Sequence, residues 1–347
     1  MDALFDALAP LRWCLFAEPV HGYRNAKVKL EAVLANEDAL AAGEYPVRFE
    51  VFGPDAEKVF GKATNVRIAG GEAPFAIPVL TDEVNANWPV GKYRFVATFE
   101  KGGAAAGGEA VFHVSEPVEK CELKMPVVLW GKDEVLQKWL AGRHVEVREF
   151  DAAPQSGREL LLVGRVVPQP GGAEVFKELA GRIARGSSAV FLDPNVFAVA
   201  GQPANLALIG QKGTLINLQN NVYHKDDWAK RHQIFADLPA GGLMDYTFYR
   251  ELISNLGWSR PDAPSETVAG AVFAFTGYAS GVLVSVDELG AGRVVLNTLC
   301  IRENLGRSPA ADKLLLNMLR YAAAGAVGEL GPLPTDFEAR FKSHKPK

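Results

Sequence analysis

"PVVLWGKDEVLQKWLAG", residues 126–142, decides the fold of the longer part of this chain. Its opening five residues are apolar without alternation, the pattern of a strand covered on both faces. Directly after them, Val135, Leu136, Trp139 and Leu140 fall on one helical face. A buried strand that feeds an amphipathic helix is the building unit of a parallel sheet. The alternation continues with strands at "HVEVREF" (144–150), "ELLLVG" (159–164) and "SAVFLDP" (188–194), the last two separated by the amphipathic helix "AEVFKELAGRIARG" (173–186). Residues 119–328 therefore read as a doubly wound α/β domain.

Further along, "GAVFAFTGYASGVLVSVDELGAGRVVLNTLCI" (270–301) holds three strands joined by short glycine-containing turns, an antiparallel extension of the sheet. The closing helix starts with Ser308 as cap and Pro309 at its first position, and Leu315, Met318, Leu319 and Ala322 form its core face. Residues 329–347 are polar and proline-bearing and read as a loosely held tail.

Upstream, the period changes to two. Val28, Leu30 and Leu34 alternate with Lys27, Lys29 and Glu31; Val47, Phe49 and Val51 alternate with Arg48 and Glu50; Tyr93, Phe95 and Phe99 are set among Arg94 and Glu100. Turn sequences such as "FGPDAEK" and "WPVGKY" separate these runs. Residues 1–118 thus read as an antiparallel, immunoglobulin-like β-sandwich.

A length of 347 residues also favours two domains over one. With 48% hydrophobic and 22% charged residues the composition is that of a globular chain, and a formal charge of -4 offers no general attraction to nucleic acid or anionic lipid. No apolar stretch reaches the roughly 18 to 20 residues of a membrane span. Cys14, Cys121 and Cys300 are odd in number and far apart, so neither a disulfide framework nor a thiolate metal site is expected. The N-terminal run carries acids where an export signal needs cations, so a cytoplasmic chain is the simplest reading; a chain that had lost an upstream signal would read the same.

Chemistry-bearing residues concentrate in "NVYHKDDWAKRHQIF" (221–235) and the stretch after it. His224, Asp226, Asp227 and His232 match no zinc spacing, so no metal is expected. Neither a Walker sequence nor a G-x-G-x-x-G follows the first strand, and no nucleotide or other cofactor is expected. Glycosidic chemistry needs two carboxylates flanking the bond. Asp227, Asp245 and Glu251 are the catalytic candidates, all in loop or strand-end contexts. His224, Asp226, Trp228, His232, Tyr246, Arg250, Arg302 and Glu303 are the candidates for substrate contact, the aromatics by stacking on a sugar face.

The stretches "AEPVHGYRNAKVKLEAVLANEDALAAGEYPVRFEVFGP" (17–54), "VYHKDDWAKRHQIFADLPAGGLMDYTFYREL" (222–252) and "LGAGRVVLNTLCIRENLGRSPAADKLLLNMLRYA" (289–322) resemble the post-barrel, C-terminal part of bacterial glycoside hydrolase family 2 proteins of the β-galactosidase type. "RHQIFADLP" (231–239) also resembles a segment of glutamine-amidotransferase-like domains, with Gln233 where a proline is usual. The resemblance implies an immunoglobulin-like domain followed by an amidotransferase-like, flavodoxin-like one. It implies a link to β-galactoside hydrolysis, but the family's two glutamates lie on a barrel that this chain lacks, so they have no counterpart here.

Three functions follow as expectations. The chain is a barrel-less β-galactosidase using its own carboxylates, a non-catalytic glycan-binding or assembly module of such an enzyme, or a structural oligomerisation protein. The expected partners are a galactoside-type carbohydrate and either further copies of the chain or a separate catalytic barrel subunit.

Overall fold

The computed structural model describes residues 2–70, 75–165, 172–198, 204–210, 212–219, 225–259, 264–274 and 277–344. The protein is β-rich, with its strands in three sheets. It divides into two compact units, Met1–Pro117 and Val118–Lys347.

The first unit opens with helix α1 (Asp2–Leu8) and continues through β1 (Leu11–Glu18), β2 (His21–Tyr23), β3 (Lys27–Asn36), β4 (Gly43–Phe52), β5 (Lys58–Ile68), β6 (Ala76–Asn85), β7 (Gly91–Phe99) and β8 (Glu109–Ser115). The sheets run β1-β3-β6 and β2-β8-β7-β4-β5. Among the described residues, the strands of these sheets pair antiparallel apart from β2 against β8. Alternation sends Val28, Leu30 and Leu34 of one sheet and Val47, Phe49 and Val51 of the other into one shared core. A slip of one residue in either strand would turn its charged residues inward, which fixes the register. Aromatic rings fill the middle, with Tyr93 stacked on Phe112 at 5.4 Å. The Tyr93 hydroxyl donates to the Pro89 carbonyl at 2.6 Å and ties the entry of β7 to the turn before it.

The second unit contains β9 (Val127–Trp130), α2 (Glu134–Ala141), β10 (Val147–Glu149), β11 (Leu160–Val163), α3 (Gly172–Ala184), β12 (Ser188–Phe191), β13 (Thr214–Asn217), β14 (Asp226–Ala229), β15 (Gly242–Leu243), α4 (Tyr246–Tyr249), β16 (Leu256–Ser259), β17 (Glu266–Ala274), β18 (Tyr278–Leu289), β19 (Gly292–Asn297), α5 (Pro309–Gly325) and α6 (Phe337–His344). One sheet carries all the strands, in the order β10-β9-β11-β12-β19-β18-β17-β14-β15, with β16 beside β18 and β13 beside β16. The five strands from β10 to β19 are parallel. From β18 onward every pairing is antiparallel.

The continuous apolar runs now have a physical reason. In the parallel half, Val127, Leu129, Leu160 and Leu162 face a core that they share with α2 and α5. Val128, Trp130, Leu161 and Val163 face a second core, shared with α3 and α6. In α2, Leu136, Trp139 and Leu140 are buried as expected, whereas Val135 is 41% exposed and lies off the face assigned to it. The strand expected over 144–150 is confined to Val147–Glu149.

Residues 329–344 are not a loose tail. The face of the sheet covered by α3 is completed by α6, whose Phe337 and Phe341 are 2% and 8% exposed. The chain leading to α6 is strapped down by backbone bonds, Gly331 N–H to the Arg185 carbonyl at 2.7 Å and Leu330 N–H to the Ser156 carbonyl at 2.8 Å. Polar composition concealed a phenylalanine pair at i and i+4, which lands on one helical face.

Candidate functional site

The antiparallel half of the second unit carries a cleft of about 590 Å³. One wall is β14 with β15, a second is α4 and the chain just after it, and a third comes from Leu218 and Gln219 beyond β13 and from Asn255 before β16. The size is that of a small-molecule site.

Each wall follows from local sequence. Asp245 starts α4 by accepting the backbone N–H groups of Thr247 and Phe248 at 2.9 and 3.2 Å. The helix is anchored by Tyr249, which is fully buried and donates from its hydroxyl to the Pro239 carbonyl at 2.7 Å. Burial, with the charge of Asp245 behind it, pushes the Tyr249 hydroxyl well above its ordinary pKa, so it stays protonated. Tyr246 and Arg250 stand four residues apart, and both line the cleft.

Leu218 forms an apolar part of the lining and sits on two glycines of neighbouring strands. A Cβ on Gly257 or Gly281 would come within 2.9 or 2.8 Å of its Cδ1. Without glycine at these positions Leu218 would be pushed into the cleft.

A buried ion pair stands at the start of β14. Lys225 donates from Nζ to Oδ1 of Asp227, and the two side chains are only 7% and 8% exposed. Burial raises the Asp227 carboxyl above its usual range; the hydrogen bond and charge of Lys225 oppose that rise, and the nearby Asp226 charge adds to it. Asp226 is exposed and also lines the cleft.

Of the residues singled out from sequence, Asp226, Asp227, Tyr246 and Arg250 thus meet in one cleft. The others lie elsewhere. Asp245 caps α4 and Glu251 is exposed, and neither is among the residues that line the cleft. The Trp228 ring covers Gly270 on β17, where a Cβ would stand 2.5 Å from it. His232 lies at the far end of β17, roughly 16 Å from the Asp227 position at about 3.3 Å per residue. Its Nδ1 accepts from Ile234 N–H at 3.2 Å, so Nε2 carries the proton and donates to Glu266 at 2.7 Å. Glu266 also accepts from the Tyr321 hydroxyl, the largest influence holding its pKa low. This network joins β17 to α5 and to the turn after β14.

Arg302 belongs to the carboxyl end of the parallel strands. It grips Asp133 through two hydrogen bonds of 2.6 and 3.0 Å, while Asp133 also caps α2. Gly164 allows this approach, since a Cβ there would lie 2.4 Å from Asp133 Oδ2. Glu303 is exposed beside Arg302, at 4.0 Å. His224 lies outside the described residues.

Sequence reading passed over Lys225, Gln219 and Asn255. Lys225 was visible two residues before Asp227, the spacing that puts side chains on one face of a strand. Gln219 and Asn255 are brought in by the long-range β13–β16 pairing, for which the local sequence holds no signal.

Among the described residues no group of three or more His, Cys, Asp or Glu side chains converges to hold a metal ion. Among the same residues no helix is long and apolar enough to cross a membrane.

The fold and site define a β-rich protein of two units, the second bearing a polar cleft. No family model and no curated protein matches the chain. Similar solved structures include the Pseudomonas fluorescens alkylpurine DNA glycosylase AlkC bound to DNA containing an abasic site analog, at 15% identity, 30% of this chain, 30% of that chain and a TM-score of 0.22. The CARDB domain of a Pyrococcus furiosus protein in complex with di-metal ions is 16% identical over 30% of this chain and 86% of its own, with a TM-score of 0.23. Escherichia coli alpha-2-macroglobulin is 15% identical over 34% of this chain and 7% of its own, again with a TM-score of 0.23. The match thus spans under a third of the glycosylase, and likenesses at these scores carry no argument about function.

Proposed function

We propose that the chain is a carbohydrate-binding module related to the post-barrel region of family 2 glycosidases, and that it holds a galactoside-type saccharide in the cleft beside β14. The observation that carries this reading is the convergence of Asp226, Asp227, Tyr246 and Arg250 on one cavity of saccharide size. Charged and amide groups there offer hydrogen bonds to hydroxyls, and the Tyr246 ring, 59% exposed, offers a face to a pyranose.

Two features of the fold support the family reading. Counting from β9, the parallel strands lie in the order 2-1-3-4-5, the order of flavodoxin-like domains. The first unit has two sheets and a tyrosine, Tyr93, bonded back to the turn before its strand, as in immunoglobulin-like sandwiches.

Binding is favoured over hydrolysis because Asp245 is committed to capping α4 and Glu251 stands outside the lining. A hydrolytic role draws instead on the burial of the Asp227 carboxyl in the cleft wall, which raises its pKa in the direction a general acid needs. Titrating methyl β-galactoside into the purified chain, alongside an aryl β-galactoside turnover assay, tests both. Saturable binding without turnover, weakened in Tyr246→Ala, supports the binding module. Turnover abolished in Asp227→Asn with stability retained replaces it with the hydrolase, and neither binding nor turnover overturns both.

A further inference from the structure

Among the described residues, the Lys225–Asp227 pair makes fewer hydrogen bonds than its atoms allow. An ammonium has three donors and a carboxylate about four acceptor positions. Among the described residues, the bond between Nζ and Oδ1 is the hydrogen bond found for either group. Both side chains are more than nine-tenths buried, yet both line the cleft. Capacity of this kind at the wall of a cavity is open to a ligand that offers both donors and acceptors.

The chemistry of the pair limits what that ligand is. Asp227 Oδ2 calls for a donor, and the two remaining Lys225 N–H groups call for acceptors, all at neighbouring positions. A carboxylate supplies acceptors alone, a phosphate mostly acceptors, and either sets its charge against Asp227. An ammonium supplies donors alone and repels Lys225. Adjacent hydroxyls satisfy both, one donating to Asp227 and its neighbour accepting from Lys225, with no net charge brought into the site. The adjoining lining adds Gln219 and Asn255, whose amides both donate and accept.

We infer that Lys225 and Asp227 together form the anchor that reads a vicinal diol of a neutral saccharide, with Lys225 as donor and Asp227 as acceptor. This rests on the reading of the cleft as a saccharide site and adds to it the feature of the sugar that is recognised. Lys225 becomes a specificity-determining residue on the same footing as Asp227.

The test compares methyl β-galactoside with its 3-deoxy derivative, because the 3-hydroxyl belongs to both vicinal pairs of the ring. Binding is measured by calorimetry to the wild-type chain and to the double variant Lys225→Met/Asp227→Leu, with inorganic phosphate as the anionic control. Wild type is expected to bind the parent sugar, to lose about tenfold or more on removal of the 3-hydroxyl, and to ignore phosphate. The double variant is expected to bind both sugars weakly and equally. Equal binding of the two sugars by wild type overturns the inference without recourse to any variant, while leaving the cleft a saccharide site. Tighter binding of phosphate than of the sugar overturns it as well. Failure of every sugar to bind removes the inference and the proposed function together.

Discussion

Lys225 Nζ donates to Oδ1 of Asp227 two positions along the chain, and this pair is buried in the wall of a cleft that is otherwise open to solvent. Removing the cation alone strands a buried carboxylate. Lys225→Met is expected to destabilise the second unit by about 3 to 5 kcal/mol, whereas Lys225→Met/Asp227→Leu, which removes both charges, costs far less. Urea unfolding of the single and double variants checks this ordering; a double variant less stable than the single one contradicts it.

The depth of the cleft rests on a glycine pair. In Gly281→Ala the new methyl group would stand 2.8 Å from Leu218 Cδ1 and 3.2 Å from the Gly257 Cα. Overpacking of this kind costs about 1 to 3 kcal/mol, and Leu218 is expected to shift toward the cavity. A crystal structure of the variant with Leu218 unmoved, together with unchanged stability, would show that the glycines do not set the floor.

The C-terminal helix is a structural part of the second unit. Truncating the buried Phe337 in Phe337→Ala is expected to cost about 3 to 5 kcal/mol. Thermal unfolding measures it, and a variant as stable as wild type would mean that the segment after Gly331 is dispensable.

Asp287 gives the stability a definite pH signature. Burial holds its carboxyl above the usual range, against the hydrogen bond donated by the Ser285 hydroxyl at 2.8 Å. The folded state therefore binds this proton more tightly than the unfolded state does. The resulting stabilisation is present in acid, below the unfolded value, and is lost as pH rises through the raised folded value. The stability of wild type relative to Asp287→Asn should fall from acid toward neutral pH, as read by urea unfolding across that range. A difference that rises with pH would reverse the sign and refute the assignment.

How much of this was legible in the sequence depended on the range of the interactions. The parallel strands could be read from "PVVLW" and "ELLLVG" because burial on both faces leaves a continuous apolar run that needs no partner to be recognised. The strands of the first unit could be read because one dry face and one wet face imprint a period of two. Tyr246 and Arg250 share a side of the cleft through simple helical spacing. Leu218 and Asn255 reach it only through the β13–β16 ladder, whose register is set by residues about forty positions apart. Asp245, a catalytic candidate from sequence, is engaged in capping α4, and Arg302, a candidate for substrate contact, is engaged with Asp133, the cap of α2; neither partnership leaves a local sequence signal. The phenylalanines of α6 were masked by their polar neighbours, since a short helix with two buried positions has little periodicity to show.

The central claim is that the cleft beside β14 is a saccharide site. The most direct measurement is a titration of methyl β-galactoside followed through backbone amide resonances of the whole chain. Saturable shifts should cluster at Gln219, Asp226, Met244, Tyr246 and Arg250, and should leave the His232–Glu266–Tyr321 network unmoved. Saturable shifts confined to other parts of the molecule, or none up to the solubility of the sugar, would contradict the claim.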